Sequence, residues 1–200
     1  MKRFVYLISP SSISDNFYKE LDNVLSFKNV KYFQLRLKKE KKNNLLKIGK
    51  KIKMITEKHK VRFILNDKFF LVNKIKADGC HMGQLDGSFK IARKKLKNKI
   101  LGITCHNSKI LAKNAVKLKA NYIAFGSFFK SQLKPNAKKA SPKILGWSKK
   151  NIKKPIVVIG GINNINYKKL LNAGANYIAI SSFIWDNPNF KPEVAIRKFK

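Results

Sequence analysis

Eight short runs rich in β-branched and aromatic residues punctuate the chain, and amphipathic stretches with helical spacing lie between them. A strand followed by a helix that returns to the same sheet sets successive strands parallel, so this alternation admits few architectures. The runs are Phe4–Ser9, Lys31–Arg36, Arg62–Asn66, Gly79–Met82, Ile100–Thr104, Tyr122–Gly126, Ile156–Gly160 and Tyr177–Ser181. Between them, Phe17, Leu21 and Val24 share one helical face, Leu45, Ile48, Ile52 and Ile55 another, and Leu111, Ala115 and Leu118 a third. Gly174 stands just past Leu170 and Leu171, where a helix C-terminus favours glycine, and Asn163 or Asn164 is expected to cap that helix's start. Eight such units in 200 residues predict an α/β chain, a single (β/α)8 TIM barrel with parallel strands, as one domain over residues 1–200. A doubly wound open sheet is the alternative, although no Gly-x-Gly-x-x-Gly follows the first strand to mark its commonest dinucleotide-binding form.

With 44% hydrophobic and 28% charged residues, the chain has enough apolar material for a core and is not disordered. Its first apolar stretch, Phe4 to Ile8, falls well short of the roughly 18 residues of a membrane helix or the roughly 7–15 of a signal-peptide core, so a cytoplasmic location is expected. Cys80 and Cys105 form no Cys-x-x-Cys pair and are expected to be buried thiols. Lysine and arginine number 45 against ten acids, a formal charge of +35. These cations are spread along the chain and interleave with apolar positions, as at Lys47, Lys50, Lys51, Lys53 and Lys58, which describes solvated helix faces. No nucleic-acid recognition motif accompanies them, so nucleic acid is not the expected partner. The scarcity of acids, in turn, makes any acid at a strand end informative.

A barrel builds its site at the C-terminal ends of its strands. The second strand ends Gln34-Leu35-Arg36-Leu37-Lys38, and its period of two puts Gln34, Arg36 and Lys38 on one face, pointing into the barrel mouth, with Phe33, Leu35 and Leu37 packed against helices. Burying Arg36 there is costly unless an anion meets it; an edge strand with a wet face is the alternative. The third strand ends Asn66-Asp67, and Asp86 follows the fourth. Two carboxylates past adjacent strand ends suit Mg2+, which takes one or two of them and completes its shell with water and phosphate oxygens. Either could instead cap the following helix, Asp86 before Gly87-Ser88 especially. Gly160-Gly161 and Ser181-Ser182 end the last two strands, where barrels commonly bind phosphate through backbone amides, although twin glycines also make ordinary turns. Two anion stations result, one metal-assisted and one metal-free. The stretch from Ser127 to about Ser141 reads as a functional lid or as a solvated, lysine-rich loop.

Taken in order, Gln34-Leu35-Arg36-Leu37-Lys38, Asn66-Asp67, Ala77-Asp78-Gly79-Cys80-His81-Met82-Gly83-Gln84-Leu85-Asp86, Leu101-Gly102-Ile103-Thr104, Ile159-Gly160-Gly161-Ile162 and Ala173-Gly174-Ala175 resemble the thiamine phosphate synthase family. The resemblance spans roughly Tyr32 to Trp185. It implies a transferase that couples hydroxymethylpyrimidine diphosphate to thiazole phosphate through a dissociative pyrimidine-cation mechanism, releasing pyrophosphate. It implies further that Asp67 and Asp86 hold Mg2+, that Arg36, Lys38, Asn66 and Lys134 grip the diphosphate, that Gln34 contacts the pyrimidine and Thr104 lies near it, and that Gly161, Ser181 and Ser182 bind the thiazole phosphate. Arg36, Lys38, Thr104 and Lys134 are the expected catalytic set. The loop after the sixth strand departs from the family's glycine-proline and proline-threonine-x-threonine-lysine pattern: here Gly126-Ser127-Phe128-Phe129-Lys130-Ser131-Gln132-Leu133-Lys134 lets Ser131 replace the first threonine's hydroxyl, whereas Leu133 cannot replace the second. A related thiazole tautomerase, with His106 carrying the proton, and a basic RNA-binding protein are the competing functions. His81 is expected to pack within its strand, His59 to be solvated, Trp147 and Trp185 to pack, and Tyr6 to fill the core or line the pyrimidine pocket.

Overall fold

A computed structural model describes residues 3–130 and 139–200. The eight expected runs form strands β1 (Val5–Ile8), β2 (Val30–Leu35), β3 (Arg62–Asn66), β4 (Gly79–Met82), β5 (Ile100–Thr104), β6 (Tyr122–Gly126), β7 (Ile156–Ile159) and β8 (Tyr177–Ile180). Each pairs in parallel with the next, and β8 pairs with β1, so the sheet closes into a (β/α)8 barrel. Helices α1 (Phe17–Leu25), α2 (Lys42–Lys58), α3 (Val72–Ile75), α4 (Phe89–Leu96), α5 (Lys109–Lys117), α6 (Lys143–Asn151), α7 (Tyr167–Asn172), α8 (Ser182–Trp185) and α9 (Pro192–Arg197), with a 3-10 turn at Phe69–Leu71 leading into α3, complete the described elements. Among the described residues, no helix is long and apolar enough to cross a membrane.

The alternation of side chains along each strand sorts the apolar residues into two cores. Phe33 and Leu35 of β2, Phe63 and Leu65 of β3, and Cys80 and Met82 of β4 join Leu21, Ile52 and Leu96 from the helices in one buried layer. The opposite parity forms the interior: Tyr6, Ile8, Tyr32, Ile64, Tyr122, Ala124, Val157 and Ala179. Both cysteines are buried and free. Tyr122 finds room because β5 carries Gly102 beside it; a Cβ at that glycine would fall inside the Tyr122 ring. Trp147 and Trp185 pack on the outer layer as expected.

Two helix starts and one histidine differ from the sequence reading. Ser88, not Asp86, caps α4, its hydroxyl accepting from the Ile91 N–H at 3.4 Å. Helix α7 begins after Asn166 rather than after Asn163 or Asn164. The Asn163 carboxamide is consumed one turn earlier, accepting from Ile165 and Asn166 N–H, so the turn ahead of the helix takes the capping bonds. Gly174 does lie just past the helix end, at φ +116°. His59 is not solvated: its side chain is 14% exposed and its Nε2 lies 2.7 Å from Asp22 Oδ1. The approach of α1 and α2 brings the two together.

At the opposite end from the strand termini, Asp78 ties three elements. Its Oδ2 accepts from the Phe63 N–H at 2.8 Å and lies 3.4 Å from Lys53 Nζ of α2, and its Oδ1 lies 3.5 Å from Arg62. Replacing Asp78 by Ala leaves a strand N–H and two cations without that acceptor. We expect a loss of about 2 kcal/mol of unfolding free energy, since a buried donor stripped of its partner typically costs roughly 1–3 kcal/mol. Urea unfolding measures it, and an unchanged midpoint would show that the cluster contributes nothing net.

Candidate active site

Every described site residue expected from the sequence lies at the end of a strand or in the loop after it. Beyond β2, the Arg36 N–H donates to Ser9 Oγ at 2.9 Å, so the chain leaving β2 is pinned to the end of β1. Gln34 is buried on the inward parity, and its Nε2 donates to the Tyr6 hydroxyl at 3.0 Å. Leu37 is buried in the outer layer, whereas Arg36 is half-buried and Lys38 is 47% exposed. Arg36 forms no ion pair among the described residues.

The two aspartates meet. Asp67 turns sharply out of β3 at φ +60°, a conformation open to Asp and Asn because their short side chains hydrogen-bond locally. Its own N–H donates to the His81 carbonyl at 2.8 Å, which anchors this turn on β4. The loop after β4 folds back so that Asp86 Oδ2 accepts from the Gly83 N–H at 2.8 Å. The two carboxyl groups come near enough to bias each other's protonation, and Lys38 Nζ lies 3.5 Å from Asp67 Oδ2. Burial first, and then the facing Asp86 carboxylate, push Asp67 up to about 6, against the pull of Lys38. Burial would raise Asp86 as well, but the interaction with Asp67, the Gly83 N–H and the charge of Lys38 outweigh it and hold Asp86 below the usual carboxylate range. Asp67 therefore keeps its proton to higher pH than Asp86, as facing carboxyl groups do when one is the more buried. Among the described residues no three His, Cys, Asp or Glu side chains converge, so these two carboxylates are the acidic donor set of the rim.

Thr104 ends β5 with its Oγ1 2.8 Å from His81 Nε2, while its carbonyl accepts from Gln84 Nε2 at 2.5 Å. Asn66 pairs with His81 across β3 and β4. On the far side, Gly160 and Gly161 adopt φ +107° and +59° because the chain after β6 passes against them; a Cβ at Gly161 would strike the Lys130 carbonyl and one at Gly160 the Ser127 hydroxyl. These glycines are thus more than an ordinary turn. Ser181 binds the Ser9 carbonyl through its hydroxyl at 3.0 Å, and Ser182 opens α8. Ser131, Leu133 and Lys134 lie outside the described residues. His106 is exposed in the loop after β5, at φ +50°.

Sequence reading missed the polar contents of the barrel. Tyr122, Tyr6 and His81 all occupy inward parity, and His81 does not merely pack: both of its ring nitrogens are engaged, with the Tyr122 hydroxyl 2.9 Å from Nδ1. Parity was the available signal, because His81 alternates with the outward Cys80 and Met82.

Residues 5–184 match the family described as thiamine monophosphate synthase. A thiamine-phosphate synthase of Pelagibacter ubique (strain HTCC1062) is 55% identical over 200 residues, covering 100% of this chain and 97% of that one. Another, from Erythrobacter litoralis (strain HTCC2594), is 37% identical over 186 residues, covering 90% and 87%. Among solved structures, a thiamine phosphate pyrophosphorylase from Pyrococcus furiosus has a TM-score of 0.87 at 24% identity, over 98% of this chain and 93% of that one. An orotidine 5'-phosphate decarboxylase from Pyrococcus horikoshii OT3 reaches 0.68 at 14% identity, over 96% of each chain; both likenesses concern the barrel itself.

Proposed function

We propose, from the premise that this chain belongs to the thiamine monophosphate synthase family, that it is the transferase joining hydroxymethylpyrimidine diphosphate to thiazole phosphate. The bond between the pyrimidine methylene carbon and the diphosphate oxygen breaks, its electron pair leaving on the diphosphate. The thiazole nitrogen then supplies the pair for a new carbon–nitrogen bond, giving thiamine phosphate and pyrophosphate. The observation that carries this reading is the Asp67–Asp86 pair beside Lys38, a hard-oxygen donor set facing a cation at the rim.

That set fits Mg2+: the two carboxylates crowd each other enough to retain a proton, and a divalent ion relieves the crowding more fully than Lys38 does. When bound, the ion supplies positive charge against the phosphate oxygens as they gain electrons. Arg36, Lys38, Asn66 and Lys134 add cationic and amide donors to the leaving diphosphate, and such donors stabilise the departing group more than its bound ground state. Gln34 and Thr104 orient the pyrimidine. Gly161, Ser181 and Ser182 hold the thiazole phosphate on the opposite side, so that its nitrogen faces the carbon being vacated. No nucleophilic side chain is called for.

Mixing the purified protein with both substrates and Mg2+ tests this. Pyrophosphate and thiamine phosphate are expected in equal amounts. Failure to release pyrophosphate, combined with tight and steeply salt-dependent RNA binding, would replace the enzymatic reading by a binding one.

A further inference from the structure

A line of hydrogen bonds crosses the barrel interior through five strands. Gln34 Nε2 of β2 lies 3.0 Å from the Tyr6 hydroxyl of β1, which lies 2.7 Å from the Tyr122 hydroxyl of β6. That oxygen lies 2.9 Å from His81 Nδ1 of β4, and His81 Nε2 lies 2.8 Å from Thr104 Oγ1 of β5. Tyr6 and Tyr122 are each 1% exposed, and the His81 ring stacks on Tyr122 with planes 8° apart.

We propose that this line is proton-ordered from Gln34 to Thr104, that it holds His81 as its neutral Nε2–H tautomer, and that Tyr122 is the positioning residue that transmits the order. Each link leaves little choice. An amide nitrogen only donates, so the Tyr6 oxygen accepts from Gln34. The Tyr6 hydrogen then goes to Tyr122, because among the described residues the Tyr6 hydroxyl has no other partner. The Tyr122 hydrogen is thereby left for His81 Nδ1, which must be an acceptor, and the ring's single hydrogen sits on Nε2. Burial pushes both phenols far up, which keeps each a one-hydrogen donor rather than a phenolate.

The consequence falls on Thr104. Its oxygen accepts from His81, so its own hydroxyl hydrogen points away from that ring and is left to donate to another acceptor. The two ends of the line, Gln34 and Thr104, are the side chains given above to the pyrimidine, and here the inference rests on that reading. It specifies that the ring presents a lone-pair nitrogen to Thr104, and that an analogue with a C–H or N–H at that place meets a donor it cannot satisfy. Tyr122 and Tyr6 set this selectivity without themselves needing to touch substrate.

Long-range proton–nitrogen NMR on the full chain labelled at histidine reads the tautomer directly, with no substrate present. The chain has 3 histidines, so His59→Asn and His106→Asn assign the His81 signals. The expected pattern at neutral pH is a hydrogen on Nε2 and none on Nδ1. Tyr122→Phe, which keeps the ring and removes the hydroxyl, is expected to give a mixture of tautomers, and Tyr6→Phe, which cuts the line one link earlier and frees the Tyr122 hydrogen to turn, is expected to loosen the single tautomer as well. A hydrogen on Nδ1 in the unaltered protein, a doubly protonated ring, or an unchanged tautomer in Tyr122→Phe would overturn the ordering. If Tyr122→Phe fails to fold, the unaltered protein's spectrum alone decides. In turnover, Tyr122→Phe is expected to lower kcat about tenfold with KM for thiazole phosphate within about twofold, and combining it with Thr104→Val to add little beyond the worse single variant. Additive losses would separate Tyr122 from Thr104. An inactive parent protein that still shows the Nε2–H tautomer would sink the enzymatic reading and leave the proton order standing.

Discussion

Asp67→Asn is expected to slow pyrophosphate release at least about tenfold, by removing one of two carboxylates proposed to hold Mg2+, and at the same time to stabilise the metal-free protein at neutral pH. The second effect follows from the pair. In the folded chain the Asp67 carboxyl is raised to about 6, above its ordinary 3.8. A carboxyl whose folded value is raised binds its proton more tightly folded than unfolded, so its contribution to stability falls as pH climbs from about 4 to about 6 and stays unfavourable above that. Two pH units correspond to about 3 kcal/mol, and solvent at the open barrel mouth reduces this to about 1 kcal/mol. The substituted carboxamide would resemble the protonated acid: it is neutral, its amide can donate to Asp86, and asparagine tolerates the φ +60° turn. Urea unfolding in chelator should therefore show the variant about 1 kcal/mol more stable at about pH 7.5 and no different near pH 4. A variant less stable at both values would mean that Asp67 is held by contacts other than its retained proton. Turnover retained in both Asp67→Asn and Asp86→Asn would remove the metal assignment.

Arg36→Ala should split the two substrates. The Arg36 backbone is held by Ser9, and its guanidinium forms no ion pair among the described residues, whereas Lys38 is engaged with Asp67. Half-buried cations without a carboxylate partner are placed to meet an anionic ligand, and a charge-assisted bond to phosphate is worth roughly 1.5–3 kcal/mol. Loss of this contact is expected to lower kcat/KM for the diphosphate substrate by roughly 10- to 100-fold, while the dependence on thiazole phosphate moves less than about twofold. Steady-state kinetics with each substrate varied in turn provide the measurement. Equal losses on both would dissolve the division into two anion stations, one at β2 to β4 and one at β7 and β8.

Strand positions were legible in the residues because a barrel strand has both faces buried, which demands a short run of consecutive apolar or β-branched residues and leaves polar residues mainly at the end. Arg36, Asn66, Asp67, Thr104 and Ser181 betrayed the rim in this way, each closing or following a run. The parallel order followed from the alternation itself, since a helix between two strands returns the chain to the same edge in the same direction.

The rest depended on distances between residues far apart in the chain. Ser88 rather than Asp86 caps α4 because the loop after β4 curls far enough for Asp86 to take the Gly83 N–H instead. His59 is drawn out of solvent because α1 carries Asp22 to within 2.7 Å of it. Composition and periodicity thus settled which residues are strands, which face each side chain takes and which end of the barrel bears the polar groups, because those follow from local burial and the period of two. Only the closed barrel decided that Asp67 meets Asp86, and that Gln34, Tyr6, Tyr122, His81 and Thr104 form one line, because hydrogen bonds depend on separations of about 3 Å that no spacing along the chain encodes.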